Sequence, residues 1–370
     1  AARTATTGWG ATVSDMMVEC TWDVPRLLAT AVRAGASDLH LSAGEVPRMR
    51  IDGALEPLPG AERFEAAAVE AALVDLLTPQ LVSRLARRGD ADGVWCGDLP
   101  GLGCARFRVN AFRQRRGSAL VLRRIPLAVP SLEELGAPAV FERLSGLDEG
   151  LVLVCGATGS GKSTTLAALV DAINQKRPAH IITVEDPVEF VHASRRALVS
   201  QREVGADSTD FASALRAALR EDPDVILVGE LRDLESMRLA LAAAETGHLV
   251  LATLHSRDVA SALDRLVGVF PSGERDLVRN SLAASLAAVV CQRLLPRIGG
   301  GRIAVHEVGV ATPALRNLIR ESRLNQLESA MQTGQAWGMQ TFAQSIERKV
   351  EAGLLAAGDI PDRAASSMPR

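Results

Sequence analysis

The second half of the chain alternates between short apolar runs and longer amphipathic stretches. Apolar runs at 151–155, 180–185, 225–229 and 248–253 end in polar residues, and segments with helical spacing, such as 163–173, lie between them. That order predicts a parallel sheet flanked by helices. The first part of the chain has a different texture. An amphipathic helix over 24–34 stops at Gly35, and alternating runs follow at 38–41 and 49–52, with a turn at Asp52 and Gly53. A helical stretch covers 64–88, and two more strands, 105–112 and 118–125, hinge at Gly117. Strands and helices in mixed order predict a smaller α+β unit. From 272 to 355 the pattern reads as mainly helical, including an Ala-rich amphipathic stretch at 281–295. The expected organisation is therefore a polar tail (1–21), a small domain (22–124), a linker (125–130), a larger α/β domain (131–355) and a second tail (356–370). Ser131 and Glu134 have the spacing of a capping box at the start of the larger domain.

The most specific chemistry sits just after the run 151–155. Gly156, Ala157, Thr158, Gly159, Ser160, Gly161, Lys162 and Ser163 fit the spacing G-x-x-x-x-G-K-[ST] in full. A strand before it and a helix after it are the context the motif needs. Backbone N–H groups of the loop and the helix start then form a cradle for phosphate. Lys162 is placed to reach the β- and γ-phosphates and Ser163 to hold Mg²⁺, with Thr164 continuing the binding segment.

Hydrolysis also needs a carboxylate to orient water and a positive charge to offset the transition state. Glu185 and Glu189 follow the run 180–185, and Glu230 follows 225–229. Ligands of a parallel sheet sit beyond the carboxyl ends of its strands, so both acidic clusters fall on the side of the phosphate loop. Glu230 takes the metal-side position with Ser163. Either Glu185 or Glu189 suits the base, and spacing leaves both open. His255 follows the last run and is placed to hydrogen-bond phosphate; no His/Cys cluster suggests zinc. Seven arginines crowd the region 106–124. They read as a charged strand face, as a nucleic-acid patch, or as arginine fingers, whose planar forks bind phosphate at two points. Fingers acting across a subunit boundary would require an oligomer.

Composition narrows these readings. The chain has 370 residues, 47% of them hydrophobic and 23% charged, with a net charge of -3. This is an ordinary globular balance and excludes disorder throughout. It opposes a general polyanion binder, and an aromatic content of 3% with no Tyr opposes a base-stacking platform. Of the 41 basic residues only Lys162, Lys176 and Lys349 are lysine, leaving 38 arginines. The bias makes an arginine cluster less telling and a lysine at the motif position more so. Five cysteines form no C-x-x-C pair, and their odd number excludes a complete set of intrachain disulfides; a reducing, cytosolic setting is expected. No apolar run is long enough for a spanning helix.

Together these segments resemble the secretion ATPase superfamily of type II secretion and type IV pili, in its pilus-retraction branch. The resemblance covers roughly residues 22–355. It rests on 35–44, 105–112, the phosphate loop, 183–189, 221–230, 245–248 and 253–255. The branch rests on 314–321 (Ala-Leu-Arg-Asn-Leu-Ile-Arg-Glu), 331–334 and 338–341. Cys155 and Ala157 stand where Thr and Pro are common, at positions whose side chains the phosphates do not need. The resemblance implies a PAS-like N-terminal domain, a RecA-like P-loop ATPase domain, ATP with Mg²⁺, and a homo-hexamer. It also implies Arg108, Arg116 and Arg123 as the finger candidates. Hydrolysis would turn an inner-membrane platform protein and return pilins to the membrane, the basis of twitching motility. The setting would be cytoplasmic, at pilus bases, with membrane contact only through that partner and no specific nucleic acid. The alternatives are an extension or type II secretion ATPase within the family and a nucleic-acid translocase outside it.

Overall fold

The computed structural model describes residues 23–51 and 53–359. The tail at 1–21, Trp22, Asp52 of the expected turn and residues 360–370 lie outside the described residues. The chain divides between Leu127 and Ala128 into two compact units.

The first unit contains α1 (Val24–Arg33), β1 (Asp38–Ser42), β2 (Arg48–Ile51), β3 (Ala54–Pro57), α2 (Ala66–Leu76), α3 (Pro79–Arg88), β4 (Asp90–Leu99), β5 (Gly103–Gln114) and β6 (Gly117–Ile125). Its six strands form one antiparallel sheet in the order β3-β2-β1-β6-β5-β4. Asp23 caps α1 by accepting the Arg26 N–H, and Gly35 leaves the helix in the left-handed region. The stretch read as one helix over 64–88 is two. Thr78 precedes Pro79, which forces extended backbone on its predecessor and then suits the first turn of α3. Leu27, Leu28, Leu73 and Leu85 of the helices pack on Leu39, Leu41, Val109 and Leu122 of the sheet. Ile125, where the expected strand 118–125 and the expected linker 125–130 overlap, is the buried last residue of β6.

The second unit contains α4 (Val140–Leu144), β7 (Gly150–Cys155), α5 (Lys162–Lys176), β8 (His180–Glu185), β9 (Leu198–Glu203), α6 (Phe211–Ala218), β10 (Val225–Val228), α7 (Leu234–Glu245), β11 (Leu249–Leu254), α8 (Val259–Gly268), α9 (Arg275–Ser285), β12 (Leu286–Pro296), β13 (Arg302–Val310), α10 (Pro313–Arg320), α11 (Leu327–Thr333) and α12 (Phe342–Glu351). Ser131 and Glu134 do exchange the two capping hydrogen bonds, at 2.7 and 3.1 Å. They close a turn rather than a helix, because Gly136 and Pro138 follow at once.

The seven strands run in the order β13-β12-β7-β11-β10-β8-β9, parallel except for β13 at the edge. Leu151, Leu153 and Cys155 of β7 face one apolar layer with α7, α8 and α9. Val152 and Val154 face the other, with α4 and α5. Burial on both faces is why these strands read as unbroken apolar runs. It also explains a correction: the Ala-rich stretch 281–295 is not one helix. It crosses from α9 into β12 with no turn residue between them. A short apolar run suits helix or strand equally by periodicity, and the free hydrogen-bonding edge of β7 decides for strand.

Candidate nucleotide site

β7 is fully buried up to Cys155 and delivers the chain into the phosphate loop at the carboxyl end of the sheet. Helix α5 then starts from Gly161 in the left-handed region, with no side chain capping its first turn. By contrast α6, α7 and α8 are capped by Asp210, Asp233 and Asp258. The open N–H groups of α5 are therefore left for an external anion. Ala157, Thr158, Gly159 and Ser163 are exposed, Thr164 is half-buried, and Ser160 and Lys162 are buried. The Lys162 ammonium folds back on the loop and donates to the carbonyls of Gly156 (2.9 Å) and Ala157 (3.0 Å). Burial pushes its pKa down, against Glu230, Cys155 and Glu189, which favour the charged form.

Two of the loop glycines are required by close approach. A Cβ on Gly156 would stand 2.5 Å from the Gln292 carbonyl oxygen, and one on Gly161 would stand 2.8 Å from Gln292 Nε2.

β8 and β10 pair in register, Val184 beside Val228, which sets Glu185 and Gly229 side by side. Glu230 comes next. Its carboxylate lies between Arg232 (2.7 Å) and His255 (3.2 Å), the residue that follows β11. Burial would raise its pKa; the hydrogen bond and charge of Arg232, helped by His255, outweigh burial, and the net shift is downward. Glu185 is held differently. Its Oε1 accepts from Thr183 Oγ1 (2.7 Å) and Gln201 Nε2 (3.1 Å). Burial pushes its pKa up, and these two bonds and the Glu189 N–H oppose that. Glu230 thus meets both Arg232 and His255 and, with Glu189, favours the charged form of Lys162. His248 belongs to the opposite end of β11, where its Nδ1 meets the Ala243 carbonyl at 2.9 Å. A cavity of about 620 Å³ also opens at that far end, beside Gly150, Leu286 and Val310, away from the loop.

The candidate fingers lie in the first unit, and each has a carboxylate partner there. Arg108 pairs with Asp92 at 3.6 Å, Arg116 with Glu45 at 2.7 Å and Arg123 with Asp38 at 2.7 Å. Arg108 and Arg123 stand directly opposite on β5 and β6. Like charges so placed repel, and the two aspartates offset this. The sequence pattern assigned no role to Arg232, Thr183, Gln201 or Gln292. Arg232 lies two residues past Glu230 and Thr183 opens the segment 183–189, so both carry a local signal; Gln201 and Gln292 are single polar residues in strands and carry none.

Residues 19–300 match the family described as Type II/IV secretion system protein. The chain belongs to that family. Among its secretion-family relatives, the type IV pilus retractation ATPase PilT of Pseudomonas aeruginosa is 49% identical, over 92% of this chain and 98% of its own length. The twitching motility protein of Neisseria gonorrhoeae is 55% identical over 73% of this chain and 72% of its own length. A crystal structure of the pilus retraction motor PilT with bound ADP superimposes with a TM-score of 0.84 at 42% identity, covering 94% of this chain and 98% of that one. The secretion-family chain therefore has the fold of these ATPases.

Proposed function

We propose that the chain is a motor ATPase that couples ATP hydrolysis to retraction of type IV pili and works as a ring of six. One observation carries the proposal. A complete phosphate loop stands beside Glu230, which meets His255 at 3.2 Å and, with Glu189, favours the charged form of Lys162, in a chain 49% identical to a pilus retraction ATPase over nearly its whole length. Loop N–H groups and Lys162 bind the phosphates, and the ammonium exchanges its two loop carbonyls for phosphate oxygens. Ser163 and Glu230 offer hard oxygen donors, the kind Mg²⁺ takes when nucleotide and water fill its other positions. Mg²⁺ held there would neutralise charge on the β- and γ-phosphates. We assign the water-activating base to Glu189, whose charge reaches Lys162. Glu185, tied to Thr183 and Gln201, braces the turn. His255 reports phosphate through its bond to Glu230. Arg108, Arg116 and Arg123 act as fingers by exchanging their carboxylates for phosphate.

The ring would work at the cytoplasmic face of the inner membrane, against a platform protein. No helix among the described residues is long and apolar enough to cross a membrane. Lys162→Ala should abolish turnover, and Glu230→Gln should slow it sharply while nucleotide still binds. Wild-type turnover in either purified variant would overturn the site. In cells, deleting the gene should leave surface pili in place and stop their retraction. Loss of the pili themselves would instead indicate an extension ATPase.

A further inference from the structure

β12 runs beside β7 with Cys291 opposite Cys155, and it continues to Pro296 after β7 has ended. Its next residue, Gln292, therefore lies alongside the phosphate loop and not beside another strand residue of β7. Gln292 is 3% exposed. Its Nε2 donates to the Ser160 carbonyl at 2.7 Å. Its Oε1 accepts from Thr165 Oγ1 at 2.7 Å and meets His306 Nε2 at 3.2 Å. A proton on His306 Nε2 lets all three contacts be hydrogen bonds. One carboxamide so joins the loop, the first turn of α5 and the edge strand β13. Gly156 and Gly161 are the residues that let β12 come this close.

We infer that Gln292 is a positioning residue of the phosphate loop, setting the direction in which the loop's backbone N–H groups point. The physical reason is the planarity of the peptide group. In a trans peptide the C=O and the following N–H point opposite ways. Drawing the Ser160 carbonyl inward to Gln292 turns the Gly161 N–H outward, towards the mouth of the loop. Thr165, held by the same side chain, fixes this peptide to the start of α5. The inference rests on the nucleotide reading of the loop and deepens it: affinity for the β-phosphate region depends on a side chain that touches no phosphate.

The test uses the full chain as wild type, Lys162→Ala, Gln292→Glu, Gln292→Met, Thr165→Val and the Gln292→Met/Thr165→Val double variant. A fluorescent ADP analogue is titrated, KM and kcat for ATP are measured, and thermal melts check the fold. Gln292→Glu keeps an acceptor for Thr165 and His306 but offers Ser160 no hydrogen. It should weaken ADP binding by about tenfold, the scale of one lost buried hydrogen bond, and raise KM more than it lowers kcat. Gln292→Met should do at least as much. Thr165→Val should shift affinity the same way by less, and should add little on top of Gln292→Met, because both remove one network. Wild-type ADP affinity in Gln292→Glu, or full additivity in the double variant, would overturn the inference while wild type and Lys162→Ala still differ. Failure of the wild type itself to bind would remove the nucleotide reading and this inference together. If Gln292→Met does not fold, Gln292→Glu and Thr165→Val decide.

Discussion

At the scale of single residues, the two acids that spacing could not separate differ in what surrounds them. Glu185 Oε1 already accepts from Thr183 and Gln201, which fixes its carboxylate to the sheet. Glu189 instead lies where its charge acts on Lys162. Glu189→Gln is expected to lower kcat by about a hundredfold or more with ADP affinity kept. Glu185→Gln should do less, since its amide oxygen still accepts from Thr183. Steady-state kinetics of the two variants compare them, and a larger loss in Glu185→Gln would reverse the assignment. Sequence placed both acids at the right end of the sheet because strand ends are local features. It could not rank them, because Gln201 comes from the neighbouring strand β9.

At the scale of elements, β13 carries two adjacent groups with opposite responses to pH. Burial, with Asp258 nearby, raises the Glu307 pKa from 4.5 to about 7, against the Val259 N–H and Arg293. Burial, with Lys349 adding to it, lowers the His306 pKa from 6.5 to about 3. The folded chain binds the Glu307 proton in a range where the unfolded chain has lost it, so that contribution falls as pH rises from 4.5 to about 7. The unfolded chain protonates His306 first, so its contribution falls as pH drops from 6.5 to about 3. Between 4.5 and 6.5 the two offset each other. Glu307→Gln should unmask the histidine, and stability should then fall on acidification through that window by about 1.4 kcal/mol per pH unit. Urea midpoints across the window measure this; a variant whose profile matches wild type would show that the two groups are not opposed. None of this was legible beforehand, since the region was read as helical and its burial comes from β12 and α12.

At the scale of the whole molecule, three arginines of the stretch 106–124 have defined carboxylate partners. Asp38 is buried beneath Arg123. Burial opposes its ionisation, and the hydrogen bonds from Ser37 and Arg123 overcome that, holding its pKa below the ordinary value. The pair bridges β1 and β6, the two middle strands of that sheet, and keeps the guanidinium in place. If Arg123 or Arg108 serves a neighbouring subunit, Arg123→Ala or Arg108→Ala should abolish ATP turnover without loss of ring assembly, by size-exclusion chromatography. Mixing either with Lys162→Ala should restore part of the activity, as some interfaces then combine an intact loop with an intact finger. Mixed rings with no recovered activity would count against trans action.

The strand and helix around the phosphate-loop motif, and the positions of Glu185, Glu230 and His255 at or just past strand ends, were legible in sequence alone. Each depends on spacing within a few residues, where backbone geometry leaves few choices. The tertiary structure decided the rest: that 286–296 is a strand, that Arg108 and Arg123 face aspartates, and that Gln292 bonds to the loop. These depend on hydrogen bonds and packing between segments far apart in the chain. The Ser160 and Gln292 pair is 132 residues apart, and no local periodicity carries a partner at that distance.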